Sequence, residues 1–576
     1  YRGEAADAKS DQFSFCVMLY EALYRQRPFE GPTWQAIAEA VTSGKLRDPP
    51  PKAAAPPRAR KALLRGLSVD PAERFGSMGE LLEALSDEPN VRRRRLAAAG
   101  AAAVALAALP LAYRQARGEP GLTCGGAERK LVGVWDGARK GAVREAFLAT
   151  GKPFAPDAWR GAERALDAYA RDWAAARVDA CEATHVRGEQ SAELLDLRMA
   201  CLDDRLKEVG ALTEVFARAD AEVVVRGVGA AQSLTPLGAC GDAKALRARV
   251  RPPADAAAAA KVEALRGDLA RAQALAEAGK YREALPIAAG AVAAAEAIGY
   301  RPALAEALVQ YGRQQTRSGD VKGAEATFRR SITAADAAGD DVTRAQAYSG
   351  LLFNLGTLQA KGEFVPLVNE QAQAALARAG GDPGIDGQRR ANLAAALRRQ
   401  GKFDEARLEY EGALVSLERA FGPESRQVLI GLYGLGNTHL SRKDFDAARA
   451  AFQRYLELSE RALGPLHPSV AEGLSGLGTV LMVQLHFDEA SKHLGRALAI
   501  MEGAVGPESQ ALTPYLDNLG SSLSELGRHE GALDCFRRSL ALTEKQLGPE
   551  HPLLLLPLTG LGEAYLGLGD HERAIA

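Results

Sequence analysis

From about residue 260 onward, apolar side chains recur at helical spacing, and whole blocks of this pattern repeat along the chain. In the last five blocks the period is 42 residues. The period is marked by an aromatic residue or histidine, an alanine, a leucine and a glycine, at Phe403, Phe445, Phe487, His529 and His571; Ala406, Ala448, Ala490, Ala532 and Ala574; Leu393, Leu435, Leu477, Leu519 and Leu561; and Gly422, Gly464, Gly506 and Gly548. Such a period predicts stacked two-helix units, each of which buries its apolar face against its neighbours.

Three less regular blocks precede these five. They centre on Gly279, Gly319 and Gly362, so that residues 253–576 hold about eight units, the last broken off after its second helix begins. Glycine and proline end the second helix of each regular unit and begin the next unit. Lys443 and Leu485 replace the glycine of the turn inside two units.

The G-x-[FH]-x-x-A core of each unit resembles the tetratricopeptide repeat family, in the long form found in kinesin light chains. HEAT and armadillo repeats share the long period but do not explain this core. The resemblance implies an α-solenoid whose concave face binds proteins or peptides and is lined by the first helix of each unit. By family position the candidates for this groove are Tyr433, Asn437, Ser475, Thr479, Asp517, Ser521, Thr559 and Glu563. A solvated helix face is the alternative for each of them.

An uncharged run lies between this repeat region and the start of the chain. Residues 96–113 carry no charge, four arginines at 92–95 precede them, and Arg114 and Arg117 follow. Eighteen helical residues span about 27 Å, enough for a bilayer core. The pattern predicts a basic juxtamembrane segment, 87–95, and one transmembrane helix, 96–113. An alanine-rich soluble helix or linker is the alternative. Because more arginines precede the run than follow it, we expect a single-pass inner-membrane protein with its N-terminal part in the cytoplasm and the repeats outside.

Residues 114–252 predict a helical linker domain that contains four cysteines. Amphipathic helices are predicted over 159–173 and 191–205, with the polar run 181–191 as a loop or cap. Outside the cytoplasm four cysteines can form two disulfides in three connectivities. We favour Cys124–Cys240 with Cys181–Cys201; four reduced cysteines in the core are the alternative.

The first 86 residues carry a different pattern. Residues 10–16 read S-D-Q-F-S-F-C, 19–23 read L-Y-E-A-L, 27–29 read R-P-F and 70–75 read D-P-A-E-R-F. In this order and spacing they resemble the C-terminal part of a protein kinase catalytic domain of the bacterial serine/threonine type. Phe13 and Cys16 depart from the tryptophan and glycine that are usual in this family.

The kinase resemblance implies structural roles for two residues of this span. Asp11 matches the acid that accepts hydrogen bonds from the catalytic loop, and Arg74 matches the arginine that pairs with the glutamate of the A-P-E motif. Both partners would lie before Tyr1, as would the catalytic residues and the groups that bind ATP and Mg²⁺ in the parent kinase. No catalytic or cofactor-binding residue is therefore expected within this chain.

Composition supports a helical protein without a nucleic-acid partner. The 72 basic and 73 acidic residues give a formal net charge of −1, without the basic excess that nucleic-acid binding uses. Alanine, leucine, arginine and glutamate dominate, which favours helices. No Cys-x-x-Cys pair occurs, so no metal site is expected. The expected fold class is all-α: a kinase C-lobe remnant, one transmembrane helix, a helical linker domain and a repeat solenoid.

Two functions fit these expectations. The first is a membrane-bound serine/threonine kinase whose repeats bind a protein or peptide as a sensor, and a homodimer is one assembly that this arrangement allows. The alternative is a membrane-tethered repeat scaffold with a degenerate pseudokinase. Whether the parent is an enzyme depends on residues upstream of Tyr1. A further version keeps the repeats in the cytoplasm, with 96–113 soluble.

Overall fold

The structure, a computed structural model, describes residues 7–51, 55–86, 124–248, 250 and 253–575. The chain divides into two compact units, Tyr1–Gly121 and Leu122–Ala576. Every regular element in the described ranges is a helix. The all-α prediction is therefore confirmed for this part of the chain.

In its described residues the first unit contains four α-helices: α1 (Ala8–Tyr24), α2 (Trp34–Thr42), α3 (Pro57–Gly66) and α4 (Met78–Ser86). Helix α1 begins at Asp7, whose carboxylate accepts a hydrogen bond from the Ser10 backbone N–H at 2.8 Å. Cys16 lies in the core of this unit against Gly66, where an added Cβ would collide with the Cys16 sulfur. Cys16 thus fits between the helices because residue 66 has no side chain.

Arg74 is the buried polar residue that connects the two ends of this unit. Its guanidinium donates hydrogen bonds to the carbonyl oxygens of Lys9 at 2.9 Å and Ser68 at 2.8 Å, and it lies over the Phe13 ring at 4.7 Å. Asp11 is exposed on α1. Arg74 therefore ties the start of α1 to the segment before α4. The roles that the kinase resemblance implies for Asp11 and Arg74 involve partners upstream of Tyr1 and stay predictions.

The second unit begins with a helical bundle, residues 124–248. Its helices are α5 (Gly137–Ala149), α6 (Ala155–His185), α7 (Ala192–Phe216), α8 (Ala221–Gln232) and the short α9 (Ala243–Ala248). Aromatic side chains form its centre: the Phe147 ring meets Trp159 at 6.3 Å and Phe216 at 5.4 Å, edge to face in both pairs. The helices predicted at 159–173 and 191–205 lie within α6 and α7.

Helix α6 is longer than the sequence pattern indicated, and this changes the disulfide pairing. The polar run 181–191 was predicted as a loop or cap. Helix α6 continues through its first residues to His185, whereas its last residue, Ser191, caps α7 by accepting from the Leu194 N–H at 3.2 Å. The structure joins Cys124 to Cys181 and Cys201 to Cys240, so the predicted pairing, Cys124–Cys240 with Cys181–Cys201, was wrong. Cys181 lies four residues before the end of α6 and Cys201 nine residues after the start of α7, an offset of about 7 Å along the hairpin.

Eight helix pairs follow, which we number as repeats 1 to 8. They are α10 (Ala256–Glu277) with α11 (Tyr281–Ile298), α12 (Arg301–Ser318) with α13 (Val321–Ala338), α14 (Asp341–Phe353) with α15 (Val365–Arg378), α16 (Pro383–Arg399) with α17 (Phe403–Phe421), α18 (Arg426–Ser441) with α19 (Phe445–Leu463), α20 (Pro468–Val483) with α21 (Phe487–Val505), α22 (Thr513–Glu525) with α23 (His529–Leu547), and α24 (Leu555–Gly567) with α25 (His571–Ile575). In repeat 3 a π-helical turn, Asn354–Leu358, extends α14.

Aromatic wedges between glycines hold successive repeats together. The Phe452 ring on α19 lies between Gly436 and Gly476, where an added Cβ would come within 2.9 Å and 2.6 Å of the ring. Phe328 and Phe536 are placed in the same way, each between one glycine of its own repeat and one glycine of the next repeat. Such close approach leaves no room for a side chain at these glycines, and it fixes the distance between the first helices of adjacent repeats.

The membrane part of the predicted fold class requires correction. None of the helices in the described ranges combines the length and the apolar character that crossing a bilayer requires. The segments predicted as juxtamembrane, 87–95, and transmembrane, 96–113, lie outside the described residues. The prediction rested on length and absence of charge, whereas the run is mostly alanine, which has little apolar surface. Over the described residues the fold is therefore all-helical, with a helical bundle and a repeat solenoid and without a membrane-spanning helix.

Candidate protein-binding groove

The first helices of the repeats form the inner layer of the stack. Each of them, from α10 to α22, contacts the first helix of the next repeat, as expected for the concave side of a curved solenoid. The residues predicted to line the groove lie on this layer in two rows, one helical turn apart. The upper row is Tyr433, Ser475, Asp517 and Thr559, and the lower row is Asn437, Thr479, Ser521 and Glu563.

Several of these polar side chains bond to their own helix. The Asn437 amide donates to the Tyr433 carbonyl at 2.9 Å, the Thr479 hydroxyl to the Ser475 carbonyl at 2.9 Å, and the Thr559 hydroxyl to the Leu555 carbonyl at 2.8 Å. Ser521 is half-buried and Glu563 is exposed. The lower row is thus largely a polar helix face whose amide and hydroxyl donors are already satisfied.

The upper row differs from repeat to repeat. Tyr433 packs against the rings of Phe452 at 5.7 Å and Tyr455 at 5.8 Å, so it serves the packing between α18 and α19. Ser475 is half-buried on α20. Asp517 is only 8% exposed, and its Oδ1 has no hydrogen-bond partner among the described residues. In this row, the burial of Asp517 without a hydrogen-bond partner for Oδ1 is the feature that the surrounding fold does not explain.

A cavity of about 580 Å³ lies between the start of α22 and the start of α24. It brings together two predicted groove residues, Asp517 and Thr559, with side chains that the sequence analysis did not single out. These are Thr543 on α23 and three leucines, Leu553, Leu555 and Leu556. The run of leucines at 553–556 was the available signal, because a helix start inside a repeat has no need of four apolar residues in succession.

The helical bundle lies against the connections between repeats. His467 Nε2 is 2.8 Å from the Val225 carbonyl oxygen, the Gln427 amide donates to the Ser233 hydroxyl at 3.1 Å, and the Lys152 ammonium donates to the Ala504 carbonyl at 2.7 Å. These contacts engage the first turn of α18, the connection that follows α19, and the last turn of α21. The hydrogen bonds described between bundle and repeats reach as far as Ala504, at the end of repeat 6.

Small residues let the bundle approach this edge closely. A Cβ on Gly161 of α6 would lie 3.0 Å from the Ala462 carbonyl oxygen at the end of α19. Gly464, in the connection after α19, has φ +91°, and an added Cβ would lie 2.6 Å from the Asp157 side chain. Gly464 therefore serves both the turn, which needs a left-handed backbone, and the docking of the bundle.

An ion-pair cluster joins repeats that are distant in sequence. Glu277, at the end of α10, accepts from Arg317 of repeat 2 at 2.7 Å and from Arg426 of repeat 5 at 3.1 Å. Burial alone would raise the pKa of Glu277, but the two guanidinium groups outweigh it and hold the pKa below its usual range. Burial lowers the pKa of the neighbouring Arg313 to about 10, with Arg317 acting in the same direction. This cluster links repeats 1, 2 and 5.

A second carboxyl of the repeats pairs with a buried tyrosine. The Tyr455 hydroxyl donates to Oε2 of Glu472 at 2.7 Å, and the Glu472 side chain is exposed on α20. In the described part of the chain, no group of three or more His, Cys, Asp or Glu side chains is placed to hold a metal ion. What the inner layer offers is hydrogen bonding, charge and apolar contact, which are the means of binding another protein.

Comparison with known families supports the assignment of the repeats. The tetratricopeptide repeat model matches residues 389–461, 432–503 and 509–576. No curated protein matches the chain. The family match begins at residue 389, so it carries no information on the kinase resemblance of the first 86 residues. The predicted membrane contact and homodimer have no support in these observations either.

Three solved structures are similar to parts of this chain. Nearly identical TPR-like repeats of a Podosopora anserina protein described as a kinesin light chain are 20% identical, cover 32% of this chain and 88% of that one, and give a TM-score of 0.30. BtubC (BKLC) from P. vanneervenii is 22% identical over 52% of this chain and 95% of its own, with a TM-score of 0.30. The apo form of RapI is 13% identical over 55% of this chain and 84% of its own, with a TM-score of 0.43.

At these identities and TM-scores, the solved structures add no functional argument to the family match. The family match itself covers the five blocks in which the 42-residue period is regular. Residues 389–503 and 509–576 therefore match the tetratricopeptide repeat family, and over this part the chain is a repeat protein.

Proposed function

We propose that this chain is a protein-binding scaffold that holds an extended segment of a partner protein on the inner layer of its repeats. The cavity that brings Asp517 and Thr559 together supports this proposal most directly, because it lies on the concave layer beyond the last bundle contact at Ala504. In repeats 1 to 6 the bundle and the Glu277 cluster contact helix ends and a connection, and the described hydrogen bonds to the bundle reach no further than Ala504. We therefore place the main binding surface on repeats 7 and 8.

Selection of peptides tests this function. The whole chain is immobilised and exposed to a random peptide library, and selected peptides are resynthesised with a photo-crosslinking group. We expect cross-links on the first helices of the repeats, α22 and α24 above all. Cross-links confined to the outer faces of α21 and α23, or failure to select any peptide, would contradict the proposal.

For the first unit we propose, separately, that it is the C-terminal end of a kinase catalytic domain. The observation that favours this is Arg74, a buried guanidinium at the position where the kinase pattern has its buried arginine. ATP and Mg²⁺ would bind residues upstream of Tyr1, and the described side chains of this unit offer no site for them. Extending the reading frame upstream tests this proposal: the phosphate lysine, H-R-D-x-x-x-x-N and D-F-G should follow in order, and their replacement would leave a pseudokinase scaffold.

We further propose that residues 122–576 work in an oxidising compartment, outside the cytoplasm. The proximity of Cys124 to Cys181 and of Cys201 to Cys240 supports this, since such bridges persist only where thiols are not kept reduced. Alkylation of the protein from its native source, followed by mass analysis, distinguishes the two states. Four alkylated cysteines would place the repeats in the cytoplasm.

A further inference from the structure

The cavity between repeats 7 and 8 combines one buried carboxyl with apolar walls. Asp517 lies on α22 at its floor, and hydroxyl and aliphatic side chains surround it, namely Thr543, Leu553, Leu555, Leu556 and Thr559. The lining contains no lysine, arginine or histidine. The cavity therefore holds an acidic group without a cation of its own.

Asp517 is the unusual member of its repeat position. Its Oδ1 has no hydrogen-bond partner among the described residues, although the side chain is more than nine-tenths buried. Burial raises the pKa of Asp517, and the Ser539 hydroxyl opposes this. The same position holds Tyr433, Ser475 and Thr559 in the neighbouring repeats, so the repeat fold does not require a carboxylate there. A buried carboxyl oxygen without a hydrogen-bond donor is unfavourable, and Asp517 lines a cavity from which a ligand can supply that donor.

The leucines at the rim are also unusual for their positions. Leu553 and Leu556 are 61% and 56% exposed. The residues 42 positions earlier, in repeat 7, are Ala511 and Pro514. They are exposed as well, although repeat 8 packs against repeat 7. These positions thus face the groove wherever a repeat stands in the stack, and repeat 8 fills them with larger aliphatic side chains. Exposed leucines around a cavity favour an aliphatic group of a ligand.

We propose that this cavity binds an extended segment of a partner protein in which an aliphatic side chain stands beside a lysine or arginine. The aliphatic side chain packs among Leu553, Leu555 and Leu556, and the cation pairs with Asp517 as a charge-assisted hydrogen bond. The threonine hydroxyls at the wall accept hydrogen bonds from the backbone of the segment. The inference rests on the proposed binding function and names the ligand chemistry of one part of its groove.

Short synthetic peptides with systematically varied positions test this preference on the whole chain. Binding is measured by fluorescence anisotropy for wild type, for Asp517→Asn and for the control Glu530→Gln, an exposed carboxyl on α23. We expect wild type and the control to prefer lysine or arginine beside leucine, isoleucine or valine by about fivefold or more over glutamate at the same place. Asp517→Asn should lose the preference for the cation and keep the preference for the aliphatic residue.

Two outcomes separate this inference from the proposed function. Peptides bound without a preference for a cation, or a cation preference that survives in Asp517→Asn, overturn the inference and leave the scaffold function standing. No peptide bound by wild type at all overturns both.

Two further variants separate an effect on binding from an effect on folding. Leu556→Ser changes an exposed side chain and should weaken the aliphatic preference only, by about fivefold. Asp517→Ser, which copies Ser475, should behave as Asp517→Asn does. Each variant is compared with wild type by thermal unfolding, and a lost preference counts only where the unfolding midpoint is not lower than that of wild type. If Leu556→Ser keeps the full aliphatic preference, the leucine rim is not part of the site.

Discussion

His467 links the bundle to the repeats through an uncharged imidazole. Its Nδ1 accepts the Ser469 backbone N–H at 3.1 Å and caps α20, while Nε2 lies 2.8 Å from the Val225 carbonyl oxygen. These two partners require the neutral tautomer with its proton on Nε2. The Phe154 ring meets the imidazole edge to face at 5.7 Å, and the side chain is 3% exposed. Protonation of Nδ1 would break the cap and place a charge in the interface.

The consequence is a loss of stability at mildly acidic pH. Burial lowers the pKa of His467 to about 4, from an ordinary value of 6.5. Above pH 6.5 the imidazole is neutral in both the folded and the unfolded chain, and there is no penalty. Between pH 6.5 and 4 the unfolded chain takes up a proton that the folded chain refuses, so the free energy of unfolding falls by about 1.4 kcal/mol per pH unit. From pH 7.5 to pH 4.5 the contribution of this residue is about 2.5 kcal/mol.

Urea unfolding of the whole chain at several pH values measures this contribution. The bundle tryptophans report on the unit that contains His467. His467→Asn should lose about 2.5 kcal/mol less than wild type between pH 7.5 and pH 4.5. His551→Asn is the matched control, because His551 occupies the same repeat position and caps the Leu553 N–H at 3.2 Å but is half-buried. Equal pH slopes for His467→Asn and wild type would refute the reasoning, since carboxyl groups titrate alike in both.

Three further predictions concern packing, backbone conformation and cross-linking. Gly476→Ala should lower the free energy of unfolding by about 1–3 kcal/mol, because its Cβ would collide with an aromatic ring, and urea titration measures this. Leu485→Gly should raise it by about 1 kcal/mol, because Leu485 has φ +64° and is 73% exposed. Peptide mapping without reductant should find two linked pairs, Cys124–Cys181 and Cys201–Cys240.

Each of these predictions has its own control. Gly495→Ala, on α21, has no atom within 4 Å of the added Cβ, and it should raise stability by about 0.5–1 kcal/mol. Equal effects at both glycines would mean that the aromatic wedge is misplaced. A less stable Leu485→Gly would show that the leucine side chain contributes more than its backbone costs. A linked Cys124–Cys240 peptide would contradict the arrangement of α6 and α7.

The repeats could be predicted from the sequence because their marks are local. Glycine at a turn, alanine at a helix crossing and the 42-residue period each constrain the chain within one or two helices. The groove could be predicted only in part. Asn437 and Thr479 stand on the inner layer as expected, but their donors bond to carbonyls four residues earlier, an option open to many short polar side chains on a helix. The position of a residue in the repeat shows on which face of the helix it lies. It does not show which acceptor its side-chain donor bonds to.

The disulfides and the bundle depend on distances that sequence alone leaves open. The pairing follows from the length of α6, and the polar run from residue 181 hid the last turn of that helix. The contact of the bundle with the repeats could not be predicted from the sequence either. Val225 and Phe154 are apolar, and apolar residues occur both in the core of a bundle and in a contact with a repeat. His467 and His551 occupy the same motif, yet only His467 meets the bundle. The disulfide pairing and the docking of the bundle thus depend on long-range contacts, which the local sequence pattern does not show.

The bundle also decides which part of a regular repeat array is free to bind. Bundle contacts reach the first turn of α18, the connection after α19 and the last turn of α21, and Glu277 links repeats 1, 2 and 5 through Arg317 and Arg426. Repeat positions that are nearly equivalent by sequence therefore differ in their surroundings. The position that holds Tyr433 near the bundle holds Asp517 beyond Ala504, where Oδ1 has no hydrogen-bond partner among the described residues and the side chain lines a cavity. Under the proposed function, binding at repeats 7 and 8 depends on this contrast between repeats that contact the bundle and repeats that do not.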